Sequence, residues 1–283
     1  FLAFINILYS SYFDYFLSIN SYLITLAVSV CSGLSLLIIG NKSKKRINFI
    51  EQLILIILIY FLLSFLISIP FYLSNYQVTL INSLFEAFSG ITGTGFSIFD
   101  NIKYLDPTLI LWRSSSQWIG GLYFLFFLIL IFSNKQFNYK MNDLTYSSDG
   151  NINSETNIKD ILLKTSILYL ILSFIIFLFL NISGIRMFNS LNLSMSLISA
   201  GGFLPTNSLD KIIISSPQKI VFILSLLFTT LNFFLILNIF KKTTLKREHS
   251  EDLYLVFLSI IFILFIYFYD FKGLDIIISI LSS

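Results

Sequence analysis

Apolar runs long enough to cross a lipid bilayer constrain this chain more than any other feature. A membrane-spanning helix needs about 20 mostly apolar residues. Such runs occur at 19–39, 50–73, 109–132, 161–180, 220–240 and 253–269, and residues 1–12 read as the tail of an earlier span, with Asp14 in a short outside turn. Lipid offers no hydrogen bonds, so each span has to satisfy its own backbone as a helix. The expected fold class is an all-α integral membrane protein. Composition points the same way. Only 12% of the 283 residues are charged, about half the roughly 25% of a soluble domain. That excludes a cytosolic enzyme, and the 56% of apolar residues excludes a disordered chain. Cys31 is alone, which excludes a disulfide framework. The net charge of +3 comes from small Lys/Arg clusters in loops, so no nucleic-acid partner is expected. The partner is the lipid bilayer, and the expected location is the cell's inner (plasma) membrane, crossed several times.

Three apolar runs are too short to span: 79–88, 188–197 and 274–281. Runs of this length are re-entrant or buried segments more often than spans. The positive charges discriminate. Lys42, Lys44, Lys45 and Arg46 form one cluster, Lys135, Lys140, Lys159 and Lys164 a second, and Lys241, Lys242, Lys246 and Arg247 a third. Cytoplasmic loops carry the excess of Lys and Arg. All three clusters stay inside only if an even number of crossings separates them. The short runs should therefore dip in from outside and return. Surface amphipathic helices are the competing reading. The polar stretch 133–160 reads as a cytoplasmic linker.

An internal repeat organises these pieces. Residues 89–96 read SGITGTGF and residues 196–203 read SLISAGGF, 107 positions apart, with Ser, Ile, Gly and Phe at matching offsets. A short apolar run precedes each octapeptide. A loop with a proline (Pro107, Pro217) and a span ending FLILIF or FLILNIF follow it. The expected organisation is an N-terminal two-helix region at 1–46, a first span–short helix–span unit at 47–140, a linker at 141–160, a second unit at 161–247 and the start of a third at 248–283. Ser282 stands where Ser89 and Ser196 stand. The chain opens on Phe1 and stops inside an apolar run, so it reads as a fragment of a longer pore.

The unit has a chemical meaning. Irregular backbone at membrane depth is tolerated only where protein buries it or it lines a wet cavity. A short helix entering from outside aims its partially negative C-terminus into the membrane, where it favours cations. The glycine-rich stretch after it can turn carbonyl oxygens toward an ion and replace its hydration shell. Carbonyls and Thr/Ser hydroxyls are hard oxygen ligands for unreactive cations. The alternative is that the glycines serve only turns and tight packing. Neither a nucleophile–base pair, nor metal-ligand spacing, nor a phosphate loop is present, and His249 sits in a charged loop, so no enzyme is expected.

ISIPFYLSN, FEAFSGITGTGF and LILWRSSSQWIGG resemble the Trk/Ktr/HKT superfamily of potassium transporters, most closely its bacterial TrkH branch. There the matching stretches read approximately LPF, FFEAxSGxTTTG and LxxWRSxxQWxGG. SMSLISAGGFLPTNS resembles the family's second filter, with Ser199-Ala200 and Leu204-Pro205 departing from the usual residues. The resemblance implies four span–pore helix–span units around a pseudo-fourfold pore, of which this chain holds two and the start of a third. It implies Thr92, Gly93, Thr94 and Gly95 as the first filter. Ser199, Ala200, Gly201 and Gly202 are implied as the second. Potassium is then the transported ion, with no covalently bound cofactor. A homodimer and a cytoplasmic nucleotide-binding regulatory subunit are the implied partners. Glycine at positions 95 and 202 goes with potassium preference in the family, and Ala200 departs from its pattern.

Two ionisable residues fall inside the motif. An intramembrane charge usually faces the protein interior and finds a partner. Glu86 and Arg113 either pair behind the first filter and hold its shape, or each reaches interfacial water or backbone carbonyls separately. Gly120-Gly121 fits close helix packing, and Trp112, Trp118 and the tyrosines read as interfacial anchors and packing residues. Potassium uptake through a carbonyl-lined filter is the first functional reading. An ion-coupled secondary transporter and a non-conducting fragment or scaffold are the alternatives.

Overall fold

The computed structural model describes residues 2–13, 16–41, 48–132 and 154–230, with Tyr254, Phe257, Leu258, Ile260 and Ile261 beyond them. Asp14, the basic clusters at 42–46 and 241–247, Lys135, Lys140, His249, the end of the run 220–240, nearly all of 253–269, the run 274–281 and Ser282 lie outside the described residues. All regular structure among the described residues is helical: α1 (Leu2–Tyr12), α2 (Phe16–Gly40), α3 (Phe49–Tyr72), α4 (Leu80–Thr92), α5 (Pro107–Phe132), α6 (Ser154–Ile182), α7 (Met187–Ile198) and α8 (Ser216–Thr230). Four stretches are long and apolar enough to cross a membrane: Ile19–Gly40, Phe49–Tyr72, Pro107–Ile131 and Asp160–Ile182. Residues 154–160, read from sequence as the end of the linker, form the first turns of α6.

Helix ends follow local chemistry. The Asn48 N–H donates to the Glu51 carboxylate at the start of α3 (3.0 Å), which satisfies an orphan donor. Thr79 caps α4, its hydroxyl accepting from the Asn82 N–H (3.3 Å). Pro107 and Pro217 each lie in the first turn of a helix, α5 and α8, where a missing N–H costs nothing. Pro70 lies inside α3 and leaves the Leu66 carbonyl without its helical donor. In the same turn the Trp112 indole donates to the Ile67 carbonyl (3.0 Å). Farther along, Tyr123 donates to the Ile56 carbonyl (3.0 Å). These bonds seat α5 on α3.

The two short helices are re-entrant. Thirteen residues make α4 about 20 Å long, against a hydrocarbon core of about 30 Å. Its end meets α5 at Gly120, where an added Cβ would collide with the Ile91 carbonyl. That point lies about 20 Å along α5 from Pro107, so α4 stops at mid-depth. The chain then climbs back to its entry level. Tyr76, before α4, donates to the Tyr104 carbonyl (3.0 Å) and accepts from the Asp106 N–H (2.7 Å). Burial, and then the Asp106 charge, push the Tyr76 phenol above its ordinary pKa, which keeps the donor proton in place. α7 repeats the pattern, and the two return loops are tied together. The Asn207 side-chain oxygen accepts from the Ile102 N–H (2.9 Å) and the Lys103 N–H (3.3 Å), and its nitrogen donates to Asn101 (2.9 Å).

Apolar packing follows the two units. Tyr22, Ile67, Phe71, Ala87, Ile91 and Trp112 belong to one cluster around α4. Ile176, Leu180, Leu193, Leu197 and Phe222 belong to another around α7. α5 packs against α1, α3 and α4 on one side and α6 and α7 on the other. Outward residues such as Leu37, Ile39 and Leu58 are exposed. Of the two roles expected for Trp112 and Trp118, packing holds and interfacial anchoring does not. Both are buried, and Trp118 donates to the Ser173 hydroxyl (2.9 Å). An indole inside a span needs a hydrogen-bond partner, and a neighbouring helix supplies it in each case.

Candidate ion-filter site

Both octapeptides turn off a helix C-terminus through a left-handed residue. After α4 that residue is Gly93 (φ +73°), whose N–H donates to the Gly90 carbonyl (3.1 Å). After α7 it is Ala200 (φ +52°), at the matching position 107 residues on. Its N–H donates to the Leu197 carbonyl (3.0 Å), and the Gly201 N–H to the Ser196 carbonyl (2.8 Å). This pair of bonds is a Schellman stop. The position normally taken by glycine holds an alanine, at a cost of roughly 1–2 kcal/mol. Matching serines brace the two turns. Thr94 donates to the Ser89 hydroxyl (3.1 Å), and the Ser196 hydroxyl donates to the Gly201 carbonyl (2.8 Å).

The turns bring the two stretches against each other. A Cβ built on Gly95 (φ +76°) would stand 2.5 Å from the Gly202 Cα, and one on Gly202 would stand 3.2 Å from the Gly95 Cα. Gly93 faces the Ser199 and Ala200 carbonyls, 3.6 and 3.9 Å from where its Cβ would be. Gly93, Gly95, Ser199, Ala200 and Gly202 thus form one locus, with Thr94 braced behind it. Thr92 belongs instead to the last turn of α4, and its hydroxyl donates back to the Phe88 carbonyl (2.6 Å). Ser199 likewise bonds back to Met195 (2.8 Å). Gly201 faces away, against the Gln117 side chain. What this locus offers a cation is chiefly main-chain oxygen.

Behind the first stretch lies a buried ion pair. Arg113 Nε donates to Glu86 Oε1 (2.7 Å), with both side chains at most 1% exposed. Two charges so far from water need further hydrogen bonds to hold their place. Glu86 also accepts from the Ser97 hydroxyl (3.1 Å) and the Ile98 N–H (2.8 Å). Arg113 Nη2 donates to Ser97 (2.8 Å), Nη1 reaches the Leu204 carbonyl (3.5 Å), and the guanidinium lies 4.2 Å from the Phe203 ring centroid. Glu86 and Arg113 are therefore brought together, and their network holds the chain just after both filter stretches.

Small residues on α5 admit the re-entrant helices. Side chains at Gly90 and Gly120 would collide with Ser116 and with the Ile91 carbonyl. A Cβ at Gly121 would stand 2.8 Å from the Ser199 Cβ. Phe124, Leu125, Leu172 and Phe228, with Ser199 and Ala200 of the second stretch, line a cavity of about 150 Å³. Sequence reasoning gave no role to Ser97, Gln117, Phe203 or Asn207. The signal for Gln117 was present, since a carboxamide one helical turn from Arg113 inside a span has to face protein. Ser97 and Asn207 lie in loops, where polar residues carry no such signal.

A membrane protein with two re-entrant helices, whose glycine-rich exits meet, is a pore- or transporter-type architecture. The family model described as TrkH, cation transport protein, matches residues 18–268, and the chain belongs to that family. An uncharacterized cation transporter of Methanocaldococcus jannaschii is 30% identical over 157 residues, covering 53% of this chain and 32% of the relative. The Trk system potassium uptake protein TrkG of Escherichia coli is 30% identical over 106 residues, 37% of this chain and 22% of that protein. The crystal structure of the potassium transporter TrkH from Vibrio parahaemolyticus superposes with a TM-score of 0.75 at 18% identity, covering 94% of this chain and 56% of that one. The fold is thus that of a membrane transporter, and the chain spans little more than half the length of the solved structure.

Proposed function

We propose that this chain builds two walls of a potassium-selective pore, through which potassium enters the cell down its electrochemical gradient. The carrying observation is the contact between Gly95 and Gly202 at the exits of two matched re-entrant helices. Two helix C-termini and two irregular backbones there share one place at mid-membrane depth, the chemistry that replaces a monovalent cation's hydration shell. Gly93, Thr94, Gly95, Ala200 and Gly202 supply the filter from main-chain oxygen, Thr92 and Ser199 end the helices that lead into it, and Glu86 and Arg113 hold its shape. Family membership, and potassium uptake as the named role of TrkG, support potassium as the ion. A homodimer in the inner membrane, and a cytoplasmic nucleotide-binding subunit beneath it, complete the proposal.

The test uses the protein expressed from its whole gene in cells stripped of their own potassium uptake. Rubidium uptake and growth at low potassium should be restored, and Gly202→Ser should lower the potassium-to-sodium uptake ratio. An unchanged ratio in that variant refutes the filter assignment. Uptake that stops when sodium or the pH gradient is removed would mean coupled transport, and no flux at all would mean a scaffold.

A further inference from the structure

We infer that Gln117 is a positioning residue for the second filter, and so sets ion discrimination from outside the filter itself. The inference rests on the filter reading above. Arg113, Gln117 and Gly121 lie four residues apart on α5 and share one face. Each meets a successive part of the second stretch. Gly121 packs on Ser199. The Gln117 carboxamide fills the space where a Gly201 side chain would stand, and its oxygen accepts from the Phe203 N–H (3.2 Å). Arg113 reaches the Leu204 carbonyl and lies against the Phe203 ring.

The spacing is physically matched. Four residues of helix rise about 6 Å, and two residues of extended chain advance about 6.6 Å. A segment climbing away from Ser199 therefore meets α5 once per turn, at Gly121, then Gln117, then Arg113. Gln117 sits at the middle rung and is fully buried. It is the rung nearest the Gly95–Gly202 contact, because Gly202 lies between the two residues it touches. Its nitrogen finds no hydrogen-bond partner among the described residues, so the side chain is anchored through its oxygen alone. Losing that acceptor leaves the Phe203 N–H buried without a partner, a cost the filter segment can relieve only by moving.

Its neighbours on α5 do not duplicate this role. Ser116 and Gly120 face α4 and the first stretch, whereas Gln117 faces the second. The position is one that a protein needing only a packed helix would fill with an apolar residue, since an uncharged amide half-satisfied in a dry interior is otherwise a net cost.

The experiment compares potassium-to-sodium uptake ratios in the whole protein carrying Gln117→Leu, Gln117→Met or Gln117→Glu, with Gly202→Ser as a filter control. Leucine and methionine keep the volume and remove the acceptor. The ratio should fall about tenfold in both, the factor of a lost buried hydrogen bond. Burial disfavours the charged form of a carboxyl here, so neutral glutamate keeps an acceptor oxygen for Phe203 and should retain the ratio within about twofold. A merely structural residue would lower the amount of protein in the membrane and leave the ratio alone. If Gly202→Ser shifts the ratio and Gln117→Met or Gln117→Leu does not, the inference about Gln117 is overturned while the filter stands. If glutamate loses discrimination as fully as leucine, the acceptor is not what matters and the inference also fails. If no variant shifts the ratio, Gly202→Ser included, the filter reading itself has failed.

Discussion

Gly95 and Gly202 occupy equivalent places in the repeat, yet an added methyl group should have very unequal effects at the two. At Gly95 the new Cβ would stand 2.5 Å from the Gly202 Cα. Carbon atoms rest about 3.5–4.0 Å apart, so the two backbones would have to separate by about 1 Å or more. The residue is also left-handed, at φ +76°, which adds roughly 1–2 kcal/mol for any L side chain. At Gly202 the nearest atom is 3.2 Å away and the φ lies outside the left-handed region, so a shift of a few tenths of an ångström suffices. Gly95→Ala should therefore lose about tenfold or more in rubidium uptake, one decade per ~1.4 kcal/mol. Gly202→Ala should keep more than about half, a change of under ~0.5 kcal/mol. Uptake per molecule in the membrane, measured side by side in the whole protein, decides it. Equal losses, or a larger loss at Gly202, would refute the asymmetry.

Two further predictions follow from the same geometry. Ala200→Gly relieves the left-handed alanine and should raise the thermal unfolding midpoint of the detergent-purified protein; the gain is roughly 0.5–1 kcal/mol, because glycine also loses more chain entropy on folding. Glu86→Gln leaves the Arg113 charge buried without its counter-ion and should cost about 3–5 kcal/mol. The double variant Glu86→Gln/Arg113→Met should unfold at a higher temperature than Glu86→Gln alone, and strict additivity of the single losses would argue that the two side chains do not act as a pair.

Much of the architecture was readable before any coordinates. Hydropathy reports which stretches leave water, so α2, α3, α5 and α6 coincide with the apolar runs to within a few residues, apart from the early start of α6. The short runs at 79–88 and 188–197 were legible as α4 and α7 because 12 or 13 residues of helix are too short to cross a bilayer. The octapeptide match pointed to one locus without showing which of its members touch. Whether Gly95 meets Gly202, and why Gly201 instead faces Gln117, depends on backbone angles that one alanine at position 200 already alters. Hydropathy also cannot say what a buried aromatic residue is for. Trp112 and Trp118 could be interfacial anchors or packing residues by sequence, and their indoles answer to carbonyl and hydroxyl groups on neighbouring helices.

The face that α5 turns to both filter stretches has a consequence for how this helix is kept in the membrane. Arg113, Ser114, Ser115, Ser116 and Gln117 follow one another and are all buried, and the mean hydropathy of this span is 1.6, against 2.3, 2.8 and 2.4 for the other three. Lipid alone rewards such a segment least, since an arginine within a membrane helix is costly to insert. Its neighbours supply the difference: a carboxylate from α4, a carbonyl from α3 and a backbone amide from the chain after α7. α5 is thus a helix that protein, more than bilayer, keeps in place.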